Sequence, residues 1–231
     1  MERTAHVEES RFGVWFLGTE TWVRHVLERA MADLDHLLGP DRPAAPVGVD
    51  VGCGWGHSFR LLHRHFAPSR MIGCDIAPEM LALAAAEAGR QGLAVELHQA
   101  DSARLPLPDA SVDLVFCHQT FHHLVDQQGA IREFHRVLRP GGRLLFAEST
   151  RAYIHSWIIR LLFRHPMEVQ KTAAEYLALV AAAGFEVTPA RTSYPYLWWS
   201  RPDLGIAEAW FGVKPRAGRE ETLVNLVAVK R

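Results

Sequence analysis

The chain has 231 residues, 48% of them hydrophobic and 22% charged, which is enough apolar side chain for a continuous core and a length that suits one large domain. Its formal net charge of −1, with acids and bases interspersed, excludes a global field that would draw nucleic acid or an anionic membrane. No run approaches the roughly 20 apolar residues of a membrane span, and the opening MERTAHVEESRF lacks the apolar core of a secretory signal.

Residues 1–18 read as irregular, with an aromatic stretch of Phe12, Trp15 and Phe16. Thr19 is a helix cap for TWVRHVLERAMADLDHLL, whose Val23, Val26, Leu27, Ala30, Leu34 and Leu37 share a face, and Gly39–Pro40 stops the helix. From Val47 onward strand and helix patterns alternate. The strand VGVDV leads through a glycine turn to the helix FRLLHRHF. MIGCD leads to PEMLALAAAEAGRQG, AVELHQA to the turn PLPDAS, and VDLVFC to a helix around AIREFHRVL. A Pro-Gly-Gly turn then precedes the strand RLLFAES. Short apolar strands alternating with helices imply a parallel sheet covered on both faces, with right-handed crossovers. Beyond it come an amphipathic segment at 150–170, the helix TAAEYLALVAAAG, the strand FEVTPARTS and a terminal strand ETLVNLVAVKR that closes the sheet. The pattern is that of a single domain, with 1–45 an N-terminal cap, 47–149 the core, 150–170 an insertion and 171–231 the remainder of the sheet.

The most informative segment is VDVGCGWGH, residues 49–57. Gly52, Gly54 and Gly56 fall where a buried strand becomes a helix, a place where glycine permits positive φ and lets backbone N–H groups approach a ligand. The spacing is G-x-G-x-G, not the G-x-G-x-x-G of dinucleotide binders. Asp75 ends the next strand, where a carboxylate can accept from both ribose hydroxyls or cap the helix beginning at Pro78. Asp101 ends the third, where with Ser102 it can bind the adenine edge or cap a turn. One glycine turn and two acids at successive carboxyl strand ends suit a nucleoside ligand at the topological switch point.

The ordered segments VDVGCGWG, CDIAPEML, ADSARLPLPDASVDLVFCHQTFHHL and FHRVLRPGGRLLF resemble the motifs of class I S-adenosylmethionine-dependent methyltransferases, in particular the small-molecule group that includes the ubiquinone and menaquinone biosynthesis type. The resemblance is good over 47 to about 149 and loose over 171–231. It implies a Rossmann-like, doubly wound seven-stranded sheet of order 3-2-1-4-5-7-6 with the seventh strand antiparallel. It implies S-adenosylmethionine as cofactor, with Asp50, Gly52, Cys53, Gly54 and Gly56 shaping the methionine side. Asp75 would hold the ribose, Ile76 would pack on adenine, Asp101 and Ser102 would bind its edge, and the backbone of Cys117 or His118 would face the amino group. The reaction implied is methylation of a small-molecule acceptor.

A general base is needed only for a protonated acceptor. His118 and His123 after the fourth strand, and Glu148 after the fifth, are the candidates. For the acceptor wall the candidates are the aromatic or polar side chains Trp15, Phe16 and Trp22, His155 and Trp157 in the insertion, and Tyr196, Trp198 and Trp199. Ile154, Trp157, Ile158, Leu161 and Leu162 recur as one amphipathic helix that reads as a lid over the acceptor. Among 13 histidines, His118 and His122 have a helical ligand spacing, but no cysteine or carboxylate completes a set nearby in sequence, so no metal is expected. Cys53, Cys74 and Cys117 lack metal spacing and fit a reduced, cytoplasmic setting. Two other classes stay open: a catalytically silent methyltransferase-like binder, against which Asp75 and Asp101 argue, and a nicotinamide oxidoreductase, against which the glycine spacing and the lack of a Tyr-x-x-x-Lys pair argue. The sequence leaves the oligomeric state undetermined.

Overall fold

A computed structural model describes residues 9–40, 42–195, 211–212 and 220–231. Tyr196, Trp198 and Trp199 lie outside these residues. Strand β1 (Val47–Val51) pairs in parallel with β2 (Arg70–Asp75) on one side and β4 (Val112–His118) on the other. Beyond β2 lies β3 (Glu96–Gln99), and beyond β4 lies β5 (Leu138–Ser149), both parallel. The terminal strand β8 (Leu223–Lys230) runs antiparallel to β5, as expected of the last strand. The order is β3-β2-β1-β4-β5-β8-β6, where β6 is Phe185–Glu186, and β7 (Thr192–Ser193) also pairs with β8.

Among the described residues the sheet therefore has eight strands rather than seven, because FEVTPARTS is split. Pro189, which has no N–H to give to a ladder, opens a 3₁₀ turn (Pro189–Arg191) between β6 and β7. The expected Pro-Gly-Gly turn is absorbed into the start of β5, with a register shift against β4 between Val112 and Leu114.

Alternation along the strands sorts the core onto two faces. Val115 and Cys117 of β4 join Val49, Ile72 and Phe146 under Phe134 of helix α6 (Gln127–Val137) and Tyr176 of α9 (Ala173–Ala182). Leu114 and Phe116 instead meet Met31 and Leu34 of α3 (Glu28–Leu38), Phe59 of α4 (Ser58–Phe66) and Ala84 of α5 (Pro78–Gln91). Thr172 and Glu175 close a capping box on α9.

The N-terminal segment departs from expectation. Residues Arg11–Leu17 form a helix, α1, because the Ser10 hydroxyl accepts from Gly13 N and fixes the first turn. Thr19 does cap the next helix, accepting from Trp22 N; it runs as α2 (Glu20–Trp22), a π-helical stretch Val23–Leu27, and α3. The insertion also differs. Ser156 adopts an extended conformation that resets the helical phase, so α7 (Arg151–Ile154) and α8 (Trp157–Leu162) replace one continuous helix. Ile154 and Ile159 are buried, whereas Trp157 and Leu161 are 68% and 73% exposed. Among the described residues no helix is long and apolar enough to cross a membrane.

Candidate functional site

The chain reverses its strand order between β1 and β4, so a crevice opens at their carboxyl ends. Gly52, Gly54 and Gly56 all have positive φ there, at 75°, 48° and 74°. The N–H groups of Gly52 and Cys53 donate to Cys74 O, which binds the turn to β2. Gly54 N donates to Asp75 Oδ2 at 2.9 Å. A β-carbon on Gly52 would overlap the Thr120 side chain, whereas one on Gly54 would meet nothing within 4 Å. Gly52 thus admits Thr120, and Gly54 leaves its backbone open to a ligand.

Both acids do what their local sequence demands and also face the crevice. Asp75 Oδ1 accepts from Ala77 N at 3.0 Å, ahead of α5, and Asp101 Oδ1 accepts from Ala103 N at 2.9 Å, closing a turn. Asp75, Ile76, Asp101 and Ser102 line one cleft of about 410 Å³ together with Gly52 and Gly54. Asp50 and Cys53 line an adjoining cavity with Ser58, Phe116 and His118. Gly56 lines neither; it makes room for Phe59 and Ala84. Cys117 also lines neither, its thiol being turned toward Glu148 Oε1 at 3.9 Å.

Burial shapes the charges. Asp50 is 2% exposed, and desolvation lifts its carboxyl from 3.8 to about 7, with the Ser58 hydroxyl pulling the other way and the charge of Asp75 adding to the rise. Burial, with the charges of Asp50 and Asp75, likewise pushes the Cys53 thiol far up, so it stays protonated. His118, packed against Phe116 and Trp22, is lowered to about 3 by desolvation and then by His122. It is a neutral imidazole at any physiological pH and a poor proton acceptor.

Glu148, expected as a base on the crevice, is fully buried instead. Its Oε1 accepts from Thr120 N at 2.9 Å and Phe121 N at 2.7 Å, and its Oε2 lies 2.6 Å from His122 Nδ1. It fixes the β4 exit and lines none of the cavities described here. The sequence pointed inward at the right strand end but could not show that backbone donors would saturate the carboxylate.

A second pocket lies against the cleft, sharing Glu9, Leu17, Gln119 and His123 with it. Its walls are Phe16, Trp22, Tyr153, Ile159 and Phe163, and it ends on His122 and His165. The three imidazoles form one group, with ring centroids 4.3 Å (His122–His123), 5.1 Å (His122–His165) and 4.7 Å (His123–His165) apart. His165 is lowered to about 3, first by burial and then by His122. His118, the partner suggested by spacing, lines the first cavity and not this pocket.

Of the residues read as acceptor wall, Phe16 and Trp22 reach this pocket, and so does His123, which was read as a possible base. Trp15 is 62% exposed on the outer side of α1, and Trp157 likewise points outward. His155 is exposed near Met167 O. Sequence reasoning overlooked Gln119, which lines every cavity described here and holds a left-handed φ of 52°. Its Oε1 accepts from Ser149 Oγ at 2.6 Å and its N–H donates to Ala147 O, so neighbouring strand ends hold the strained residue in place. Its place directly after β4 at the switch point was the available clue.

These residues fit S-adenosylmethionine. An open backbone turn and two acids at adjacent strand ends surround one cleft, and a buried carboxyl able to meet a cation lies past the turn. Comparison with known proteins agrees. The Methyltransferase domain family matches residues 49–146. Demethylmenaquinone methyltransferase of Deinococcus radiodurans is 37% identical over 185 residues, covering 72% of this chain and 74% of that protein. Trans-aconitate 2-methyltransferase of Azoarcus sp. is 30% identical over 85% of this chain and 79% of its own length. For malonyl-[acyl-carrier protein] O-methyltransferase of Methylococcus capsulatus the match, at 38% identity, spans 58% of this chain and 47% of the relative. Among solved structures, the YcgJ protein of Bacillus subtilis shares the fold with a TM-score of 0.66 at 22% identity, over 88% of this chain and 99% of that one. By its motifs, its sheet and these relatives, the chain belongs to the class I S-adenosylmethionine-dependent methyltransferases.

Proposed function

We propose that the chain methylates a small, largely apolar or aromatic acceptor that enters the pocket between α1, α2 and the α7–α8 insertion. The observation that carries this reading is the second pocket, which opens onto the cofactor cleft through Leu17, Gln119 and His123. Its walls are mostly aromatic and aliphatic, and among the described residues no lysine or arginine lines it. That composition suits a planar ring, such as the quinone named in the Deinococcus relative, better than the tricarboxylate named in the Azoarcus one.

In the cleft, Asp75 would hold the ribose hydroxyls, with Ile76 against adenine and Asp101 with Ser102 on its edge. The Gly52–Gly54 turn, Asp50 and His118 would enclose the methionine part. Bound S-adenosylmethionine supplies the methyl group on a sulfonium leaving group. The protein's work is to hold the acceptor in line and to keep water out, and orientation of this kind accounts for about 7–11 kcal/mol of a barrier. Leu17 and Gln119, common to all three spaces, stand where the two substrates would meet. Of the candidates for proton removal, only His123 reaches that junction; Glu148 is saturated by its donors and His118 is held neutral.

The test is turnover of radiolabelled methyl donor against a panel of phenols, quinols and di- and tricarboxylates. Phenolic or quinolic acceptors should be methylated, and Phe163→Ala and Trp22→Ala should raise KM for them. Exclusive turnover of polycarboxylates would overturn the acceptor class. Binding of donor without turnover of any acceptor would favour a silent scaffold.

A further inference from the structure

We infer that His122, His123 and His165 form a binding site for a first-row divalent cation such as Zn²⁺, placed at the inner end of the second pocket. One ligand-capable atom of each residue lies within 4.8 Å of the others. Tetrahedral zinc with nitrogens at 2.0–2.1 Å sets those nitrogens about 3.3 Å apart, so the rings need to close by at most about 1.5 Å, a movement that rotation of an imidazole supplies. Imidazole sets of this kind select zinc and its neighbours over magnesium or calcium.

Three further features favour a cation over three merely packed rings. His122 is 3% exposed, and its Nδ1 is committed to Glu148 Oε2 at 2.6 Å, which orients the ring and leaves Nε2 as its ligand atom. This is the carboxylate–histidine arrangement that stiffens metal ligands and raises their basicity. The turn carrying His122 and His123 is itself held, since Gln170 Nε2 donates to His122 O at 2.8 Å and Phe121 N donates to Glu148. Finally, the carboxylates nearby are paired to the histidines themselves. Glu148 meets His122, and Glu9 Oε2 stands 3.9 Å from His123 Nε2, while Glu9 Oε1 accepts from Arg164 N beside His165. A divalent cation at the centre balances two carboxylate charges in a largely water-free setting.

Three protein ligands leave a fourth position, and the pocket bounded by Phe16, Tyr153, Ile159 and Phe163 lies next to it. This part of the inference rests on the reading of that pocket as the acceptor site. An acceptor hydroxyl bound there would pass its proton to the Glu9 carboxylate, because His123, the base candidate at this junction in the metal-free protein, would then be held as a ligand. One O–H bond breaks, another forms, and no electron changes hands.

The experiment titrates Co²⁺ into the metal-stripped full-length chain and follows visible absorption and thermal unfolding, with no acceptor present. One equivalent should produce intense tetrahedral d–d bands and raise Tm. His165→Ala and His123→Ala should each weaken Co²⁺ binding about 100-fold, while His36→Ala, on the exposed face of α3, should leave it unchanged. A native far-ultraviolet spectrum and a cooperative thermal transition without metal certify that the variants fold. Absent bands, or bands untouched in both His165→Ala and His123→Ala, would overturn the site. If the bands appear but no hydroxylated acceptor alters them, the metal site stands and the acceptor assignment falls.

Discussion

Asp50→Asn should make the ligand-free protein more stable at pH 8 and at the same time a weaker binder of its cofactor. Burial lifts the Asp50 carboxyl from 3.8 to about 7 in the folded state. A raised folded value means that the native state holds the proton more tightly. Its stabilising share is therefore present at low pH and lost as pH climbs from about 4 through about 7. At about 1.36 kcal/mol per unit, the loss is roughly 4 kcal/mol by pH 8 and roughly 1.7 kcal/mol at pH 5. Asparagine is neutral at both, and its amide oxygen can still accept from the Ser58 hydroxyl. The stability difference between variant and native protein should thus grow by roughly 2.5 kcal/mol between pH 5 and pH 8, whatever constant cost the new amide group carries. For a chain of this size that is a Tm change of roughly 5–10 °C. Urea unfolding of both proteins at the two pH values measures it. Calorimetry with S-adenosylmethionine should show binding weakened by about 10–150-fold in the variant, the range for a lost charged hydrogen bond. In the native protein, affinity should fall about tenfold per unit below pH 7. A variant whose stability relative to native is the same at both pH values, or one that binds cofactor undiminished, would rule out this role for the Asp50 carboxyl.

Asp75→Ala and Asp101→Ala should each weaken S-adenosylhomocysteine by about 10–150-fold by calorimetry while the far-ultraviolet spectrum stays native, since each removes charged hydrogen bonds at the cleft. Gly52→Ala forces a side chain into positive φ and against Thr120, so thermal unfolding should reveal a loss of about 1–3 kcal/mol together with weakened cofactor binding. Glu148→Ala strips Thr120 N, Phe121 N and His122 Nδ1 of a buried acceptor and should cost about 3–5 kcal/mol in chemical denaturation, with Glu148→Gln costing less because it keeps an acceptor oxygen.

That Gly52, Gly54, Asp75 and Asp101 line one cleft was legible in the sequence because the signals are local. A glycine turn after an apolar strand and an acid at the end of each of the next two strands are read within a few residues of one another, and the parallel sheet brings their carboxyl ends together without further specification. The strand order and the antiparallel last strand came instead from the family resemblance, and the strand pattern departed from it where Pro189 cuts one strand in two. The acceptor side was less legible. Periodicity through residues 154–162 assumed an unbroken helix, and one extended residue, Ser156, turned Trp157 outward. His165 lies far along the chain from His122 and His123, and only the course of the insertion over α1 brings the three rings together. Gly56 and Cys117 belong to the motif in sequence, yet their side-chain positions serve packing, because alternation along β4 and the pitch of α4 turn them away from the cleft.

A crystal structure of the complex with S-adenosylhomocysteine would show whether the Gly52–Gly54 turn, Asp75 and Asp101 converge on one adenosyl group. The ribose hydroxyls should lie within hydrogen-bond distance of Asp75, the adenine amine at Asp101, and the sulfur beside Gln119, facing the second pocket. A ligand seated elsewhere, or one that leaves both carboxylates untouched, would contradict that convergence.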